Sequence, residues 1–299
     1  MAMRTLKVLL LTAVACVISF NLTLQAQDTK VEVYEKIHIP KKKPIPYPNV
    51  READVMWSKV VWRMVDLREK LNLPLYYPIT PIGERMSLIY LIFWGIDNEG
   101  LRVYNPDKDV DEFKIPMTPE ELELKMGNVE KKTQIVDANG NPRDTVVPGE
   151  RHYEEIKKIL LKEKWFFDKN YSTMQVRILG ICPIRVYRRE LNSNSSNTDN
   201  AEAGDDAANM TQSKVCWVYY PEARNLLSSH AIYNRHNDAQ QISFDDLFMQ
   251  RRFSGYIYAE SNVYQNRAVN MYTTGVETLL ESERIKESLF NLEHDLWEY

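Results

Sequence analysis

The first 26 residues decide in which compartment the rest of this chain must fold. Arg4 and Lys7 form a short positive start, an uncharged apolar run follows from Val8 to Phe20, and Leu24 and Ala26 stand at the −3 and −1 positions of a cleavage site before Gln27. A positive end, an apolar core and a small-residue exit, in that order, are the pattern of a secretory leader. The apolar run is shorter than the roughly 20 residues that span a bilayer, and Asn21, Thr23 and Gln25 interrupt its end. Two alternatives stay open, an uncleaved anchor and a lipoprotein leader cut at Cys16. Against the second, Ala13-Val14-Ala15 offers no leucine-like residue three places before the cysteine. The expectation is a leader over 1–26 and a mature chain outside the cytoplasm.

Charge narrows the partners. The whole chain carries 38 Lys and Arg against 42 Asp and Glu, a net −4; the leader holds two of the bases and no acid, so the mature chain has 36 against 42, a formal −6. Mild acidity with both signs interspersed argues against a nucleic-acid binder. The remaining length is enough to bury a substantial core.

Residues 27–50 read as an extended arm. Pro40, Pro44, Pro46 and Pro48 alternate with other residues, and Lys41, Lys42 and Lys43 make the stretch basic. Proline fixes φ and disfavours helix at the preceding residue, so the arm is expected to be semi-rigid and polyproline-like. Two readings stand, a solvated tail and an arm that reaches a neighbouring subunit, for which Lys41, Lys42, Lys43, Pro44 and Tyr47 are the candidate contacts.

Residues 51–299 are expected to form one main globular domain. Spacing predicts a helix over Arg51–Leu71, with Ala53, Trp57, Val60, Val61, Met64 and Leu71 on one face and Glu52, Lys59, Arg63, Asp66 and Lys70 opposite. A buried helix is predicted from Glu84 to about Ile96, a strand or turn at Leu101–Tyr104, and a short helix opened by Thr118 as cap and Pro119 as its first residue. A hairpin is predicted over 129–147 around Asn139-Gly140-Asn141-Pro142, an amphipathic helix over His152–Trp165, and strands over Tyr171–Arg188 and Lys214–Tyr220. Between those strands, 192–212 is rich in Asn, Ser, Asp and Ala with no aromatic residue, and is expected to be a disordered loop. A capped helix start at Ser243–Phe248, a strand at Gly255–Tyr258 and a terminal helix from about Val276 complete the pass. Its Ile285, Leu289, Leu292 and Leu296 stripe, with Phe290 and Trp297 beside it, should be docked on this protein or another. Helices mixed with hairpins, without regular βα alternation, indicate an α+β fold.

No motif for a catalytic serine, a phosphate loop, a dinucleotide site or a zinc site is present in the sequence. His230 and His236 with Asp245 or Asp246 are the one cluster from which a periplasmic hydrolase or metal-dependent enzyme could be built, and no metal-ligand spacing joins them. Asp245 and Asp246 also suit a helix N-terminus without any chemistry. Cys182 and Cys216 survive export; they could bridge each other, stay as buried thiols, or bridge to a partner subunit.

Several phrases then matter together: Val60-Val61-Trp62-Arg63 running into Asp66-Leu67-Arg68-Glu69-Lys70-Leu71-Asn72, Leu75-Tyr76-Tyr77-Pro78, Val218-Tyr219-Tyr220-Pro221-Glu222-Ala223-Arg224, Asp246-Leu247-Phe248, Glu260-Ser261-Asn262, and the closing Glu281–Lys286 and Glu293–Tyr299. In this order they resemble the gliding-motility protein GldN family, its type IX secretion branch of the PorN kind most closely. The resemblance spans nearly all of the mature chain except 192–212, with the arm matched loosely. It implies a structural, non-enzymatic subunit of a periplasmic ring in the type IX protein secretion and gliding machinery. That ring would lie beneath the outer membrane with a lipoprotein partner of the GldK/PorK kind, and would contact the periplasmic region of a GldM/PorM-type motor subunit. It implies no catalytic residue and no cofactor. A monomeric periplasmic adaptor is a further alternative. A closed ring needs two different adhesive faces on each subunit, and the arm and the terminal helix are the candidates.

Overall fold

The computed structural model describes residues 37–107, 112–128, 131–136, 142–147, 149–188, 210–235, 237 and 239–296. Its frame is an antiparallel sheet, and two of its inner strands are segments for which spacing predicts helices. Val55–Asp66 is strand β1, in place of the helix expected over Arg51–Leu71. Val55, Val60, Val61 and Val65 are β-branched and Trp57 and Trp62 aromatic; such side chains lose rotamer freedom in a helix and suit a pleated surface. Val61 to Val65 are all buried, because both faces of the strand are covered. A strand buried on both sides reads as a continuous apolar run and imitates the wide arc of a buried helix. Helix in this region is limited to a 3₁₀ turn at Glu52–Asp54 and the single turn α1, Leu73–Tyr76, with Pro74 in its first positions.

The same correction applies to His152–Trp165. After a 3₁₀ turn at Tyr153–Glu155 the chain is strand β5, Ile156–Asp168, paired to β6, Thr173–Arg188. The register shifts between Ile156 and Lys158 and again between Lys162 and Glu163. The first bulge puts an extra residue, Lys157, into β5 and slips its inside–outside alternation, and the second puts its extra residue, Leu179, into β6, so the period of two is broken once in each strand.

Four helices and their caps follow the sequence more closely. Ser87 caps α2, Leu88–Asn98, accepting from the Tyr90 N–H at 3.2 Å, so the helix starts later than residue 84. Thr118 caps α3, Pro119–Met126, which stops at Gly127 with φ 82°. Ser243 and Asp246 form a reciprocal capping box at α5, Phe244–Met249. The terminal helix α6 runs over Val276–Asp295. Residues beyond Pro221 are ordered as α4, Tyr220–Ser229, which takes Tyr220 away from the predicted strand. Of that predicted strand, Trp217–Tyr219 is β8, and Lys214 instead ends an earlier strand, β7, Met210–Lys214. Met210, Thr211 and Gln212 therefore pair with β6 as part of β7; the rest of the expected 192–212 loop lies outside the described residues. The predicted hairpin is β3, Lys131–Val136, against β4, Pro142–Val147, its Asn139–Asn141 turn outside the described residues.

With β2, Val103–Tyr104, and β11, Tyr256–Glu260, the main sheet has the order β11-β1-β5-β6-β8-β2, and β7 also pairs with β6. Two-residue strands β9, Ala231–Ile232, and β10, Ile242–Ser243, form a small separate pair. The fold is α+β, a single globular domain. On one face Val65, Ile159, Leu161, Ile181 and Val218 pack under Phe93 of α2, Leu227 of α4 and Phe248 of α5. Further along that face Val61 and Ile257 lie under Ile285 and Leu289 of α6. On the other face Trp62, Met64, Leu160, Cys182, Ile184 and Trp217 form a second cluster. Ser282 of α6 accepts from the Ile257 N–H at 2.8 Å, so the helix also satisfies part of the outer edge of β11.

Gly255 leads into β11 at its closest approach to β1. A Cβ there would stand 2.7 Å from the Met64 carbonyl oxygen and 2.9 Å from Val65 Cγ2. Backbone cannot turn aside as a flexible side chain can, so Gly255→Ala should cost about 1–3 kcal/mol. Urea unfolding measures it; a loss under about 0.5 kcal/mol would show that β11 is free to shift.

Candidate interaction site

The arm is held on its own chain. Residues 42–50 run without helix or strand after a turn at 38–41. Ile39 is buried, Lys42, Pro44 and Tyr47 are partly covered, and Lys41, Lys43 and Ile45 face solvent. Lys42 pairs with Asp246 of α5, and its carbonyl accepts from Ser228 Oγ of α4. Burial alone would raise the Asp246 pKa, but Lys42 and Ser243 hold the carboxyl below its usual range. The Tyr47 ring lies between two guanidiniums, Arg224 of α4 at 4.3 Å and Arg177 of β6 at 4.9 Å, and Arg177 donates to the Pro48 carbonyl at 2.6 Å. The expectation of a tail in free solvent is thus corrected for residues 39–48: proline stiffness lets one edge of the segment adhere at low entropic cost while the other edge stays outward.

Beneath the arm lies a buried ion pair. Arg224 donates from Nε and Nη2 to the two carboxylate oxygens of Asp245, each at 3.0 Å, and the Tyr220 hydroxyl donates to Oδ1 at 2.7 Å. Burial and the neighbouring carboxylate push the Tyr220 hydroxyl far above its ordinary range. Asp245 is therefore committed to structure. His230 Nδ1 sits 3.0 Å from both Ser229 Oγ and the Leu226 carbonyl, with its ring 5.5 Å from Trp94. His236 lies outside the described residues. Among those described, no group of three His, Cys, Asp or Glu side chains could hold a metal ion. Asp245 and His230 are engaged separately, Asp245 by Arg224 and Tyr220 and His230 by Ser229 and the Leu226 carbonyl.

A second charge cluster has only one sign in the sequence, charges set inside apolar runs. Glu163, with no exposed surface, accepts from Arg63 Nε at 3.1 Å, from Arg251 Nη2 at 3.0 and 3.2 Å, and from Trp165 Nε1 at 2.9 Å. Arg63 also donates to the Gly255 carbonyl at 3.2 Å. Residues 161, 163 and 165 share one face of the strand, so this cluster fills the seam between the two apolar clusters on that face. Arg251 follows α5 with φ 53°, a left-handed position normally left to glycine or asparagine. The ion pair with Glu163 accounts for an arginine there.

The terminal helix is docked by a narrow stripe, with Ser282, Ile285 and Leu289 buried against β11 and β1. Leu292 is half-buried, and Val276, Leu279, Leu280 and Phe290 face outward, all more than half exposed. Trp297 lies outside the described residues. The preceding loop adds Val263, Tyr264, Met271 and Tyr272, also exposed. Arg267 braces the two loop tyrosines, its guanidinium 4.6 Å from the Tyr272 ring and 5.7 Å from that of Tyr264, and Tyr272 ties the loop to the helix, its hydroxyl donating to Glu281 at 3.3 Å. Val276, Leu279 and Leu280 with the loop residues give the start of the helix an exposed apolar and aromatic surface, while Phe290 stands further along, beyond Glu283, Lys286 and Glu287.

Cys182 and Cys216 are free thiols, both fully buried. Cys182 lines the cluster of Trp62 and Trp217, whereas Cys216 lines the cluster under the helices on the opposite face. Burial pushes the Cys182 thiol up to about 12 and the Cys216 thiol higher still, so neither is a thiolate nucleophile at neutral pH. Without reductant, both should alkylate in denaturant and neither in the folded protein. Mass spectrometry checks this, and a mature chain that takes up no label in denaturant would reveal a bridge.

Against known protein families, the family described as gliding motility associated protein GldN matches residues 50–298. No curated protein matches the chain.

Proposed function

The chain belongs to the GldN family, components of gliding motility and type IX secretion, and from that premise we propose that it is a structural ring subunit of this machinery, working in the periplasm after loss of its leader. Its partners are then further copies of itself, a lipoprotein of the GldK/PorK kind that holds the ring under the outer membrane, and the periplasmic region of a GldM/PorM-type motor subunit. It performs no catalysis and needs no cofactor. The observation that carries the reading is the presence of two outward surfaces of different chemistry on one folded unit. One is the basic, proline-stiffened outer edge of the arm; the other is the apolar surface on α6 and the loop before it. A subunit that joins its neighbours by rotation needs two such unlike faces. The buried charges, by contrast, are all spent on internal structure.

The test is gentle solubilisation of cell envelopes, capture through a C-terminal tag, and measurement of mass and composition. An assembly many times larger than 35.1 kDa that contains this chain with a lipoprotein is the expected result. A lone species at or below that mass would overturn the ring and favour a monomeric adaptor.

A further inference from the structure

We propose that the exposed surface of the 263–272 loop and the first turns of α6 binds the outer edge of the arm, residues 41–48, of a second copy of this chain. The proposal rests on the ring reading and says which surfaces meet in it. Three observations point to this occupant. First, the surface is too apolar to be left in water: Val263 is 91% and Val276 72% exposed, with Tyr264, Met271, Leu279 and Leu280 alongside. Contiguous apolar patches of several hundred Å² mark interaction sites. Second, its chemistry suits a proline-rich ligand. Extended Pro-rich segments dock on aromatic surfaces and lose little entropy in doing so, and here Tyr264 and Tyr272 are held in place by Arg267.

Third, the charges complement each other. The helix α6 carries Glu277, Glu281, Glu283, Glu287, Glu293 and Asp295 against only Arg284 and Lys286. The arm carries His38 and three lysines over residues 38–50 and no acid. Its inward residues are already occupied by α4, α5 and β6, which presents Lys41, Lys43 and Ile45 outward. The two surfaces sit at different places along one sheet, α6 at its β11 edge and the arm over an inner strand. The arm lies against β6 and α6 against β11, three strands apart in the order β11-β1-β5-β6, or roughly 14 Å across the sheet. An arm docked on its own α4, α5 and β6 therefore leaves its own α6 surface to another copy, and the contact is heterologous.

A photo-crosslinking residue replacing Leu280 in the full, tagged chain tests this in native envelopes beside a second, differently tagged copy. Crosslinks are expected on residues 41–48 of the other copy. Crosslinks elsewhere, within an assembly of undiminished size, would overturn this contact and leave the ring standing. A monomeric chain would overturn both. Independently, Lys41→Glu with Lys43→Glu should weaken self-association by roughly tenfold or more through like-charge repulsion, and Glu277→Lys with Glu283→Lys in the same chain should restore it. All four side chains are exposed, so folding is not at stake. Undiminished association of the arm variant would refute the proposal.

Discussion

Replacing Glu163 with glutamine is expected to move the unfolding midpoint far to lower denaturant, a loss of about 3–5 kcal/mol. The carboxylate is completely buried and accepts from two guanidiniums and an indole N–H. Glutamine keeps the volume and one acceptor but removes the charge. Arg63 is then left with no counter-ion at a site that is 8% exposed, and taking away one member of a buried pair costs far more than the pair contributes. Arg251 fares better, because a third of its side chain reaches solvent and it can turn outward. Burial pulls the Arg251 pKa down, Glu163 pulls it back up, and Arg63 lowers it again; without Glu163 only the two depressing influences remain. The control is the double change Glu163→Leu with Arg63→Met, which removes both buried charges together and should recover most of the loss. Urea titrations of wild type and both variants measure it. A glutamine variant within about 1 kcal/mol of wild type would mean that water enters the seam and solvates Arg63.

Why so much of this was invisible in the sequence follows from where the information sits. The caps Thr118 and Ser243 are read by neighbours three residues away, Pro119 marks a first helical position, and these helices form where spacing places them. The strand Thr173–Arg188 is likewise local. Segments β1 and β5 fail for a different reason. Their apolar pattern is set by two covering layers and by bulges, both of which are properties of the assembled sheet. Arg63, assigned by helical spacing to a polar stripe, instead lies on a buried face of β1. Its partner is 100 residues away, and no local rule reports such a distance. The arm was recognisable as extended and basic, but which of its edges adheres depends on Arg177, Arg224 and Asp246, which tertiary folding alone brings to it. The terminal helix was legible in its buried stripe and silent on its exposed one, since an apolar residue carries no mark of which chain will cover it.

Asp245→Asn is the second large effect, and it reaches from the core to the surface. The substitution keeps the shape of the side chain but leaves the Arg224 guanidinium, 5% exposed, without a counter-charge, and exchanges one of its two acceptors for an amide. A loss of about 3 kcal/mol is expected. Arg224 also supports the Tyr47 ring from 4.3 Å, so a disordered Arg224 loosens the arm as well. Tyr47→Ala separates the two consequences: it should release the arm for roughly 0.5–2 kcal/mol, the range of a cation–π contact, with Arg224 and Asp245 still paired. Trypsin reads the arm directly, cutting after Lys41 and Lys42 when these residues come free, while Pro44 protects the bond after Lys43. Faster cleavage is expected in both variants under native conditions, with global unfolding advanced only in Asp245→Asn. Equal cleavage in all three proteins would show that Lys42 and Ile39 alone hold the arm. If cleavage does rise, self-association should fall with it in both variants, because a loosened arm no longer presents Lys41, Lys43 and Ile45 as one prepaid edge. A buried carboxylate would then govern an intersubunit contact that it never touches.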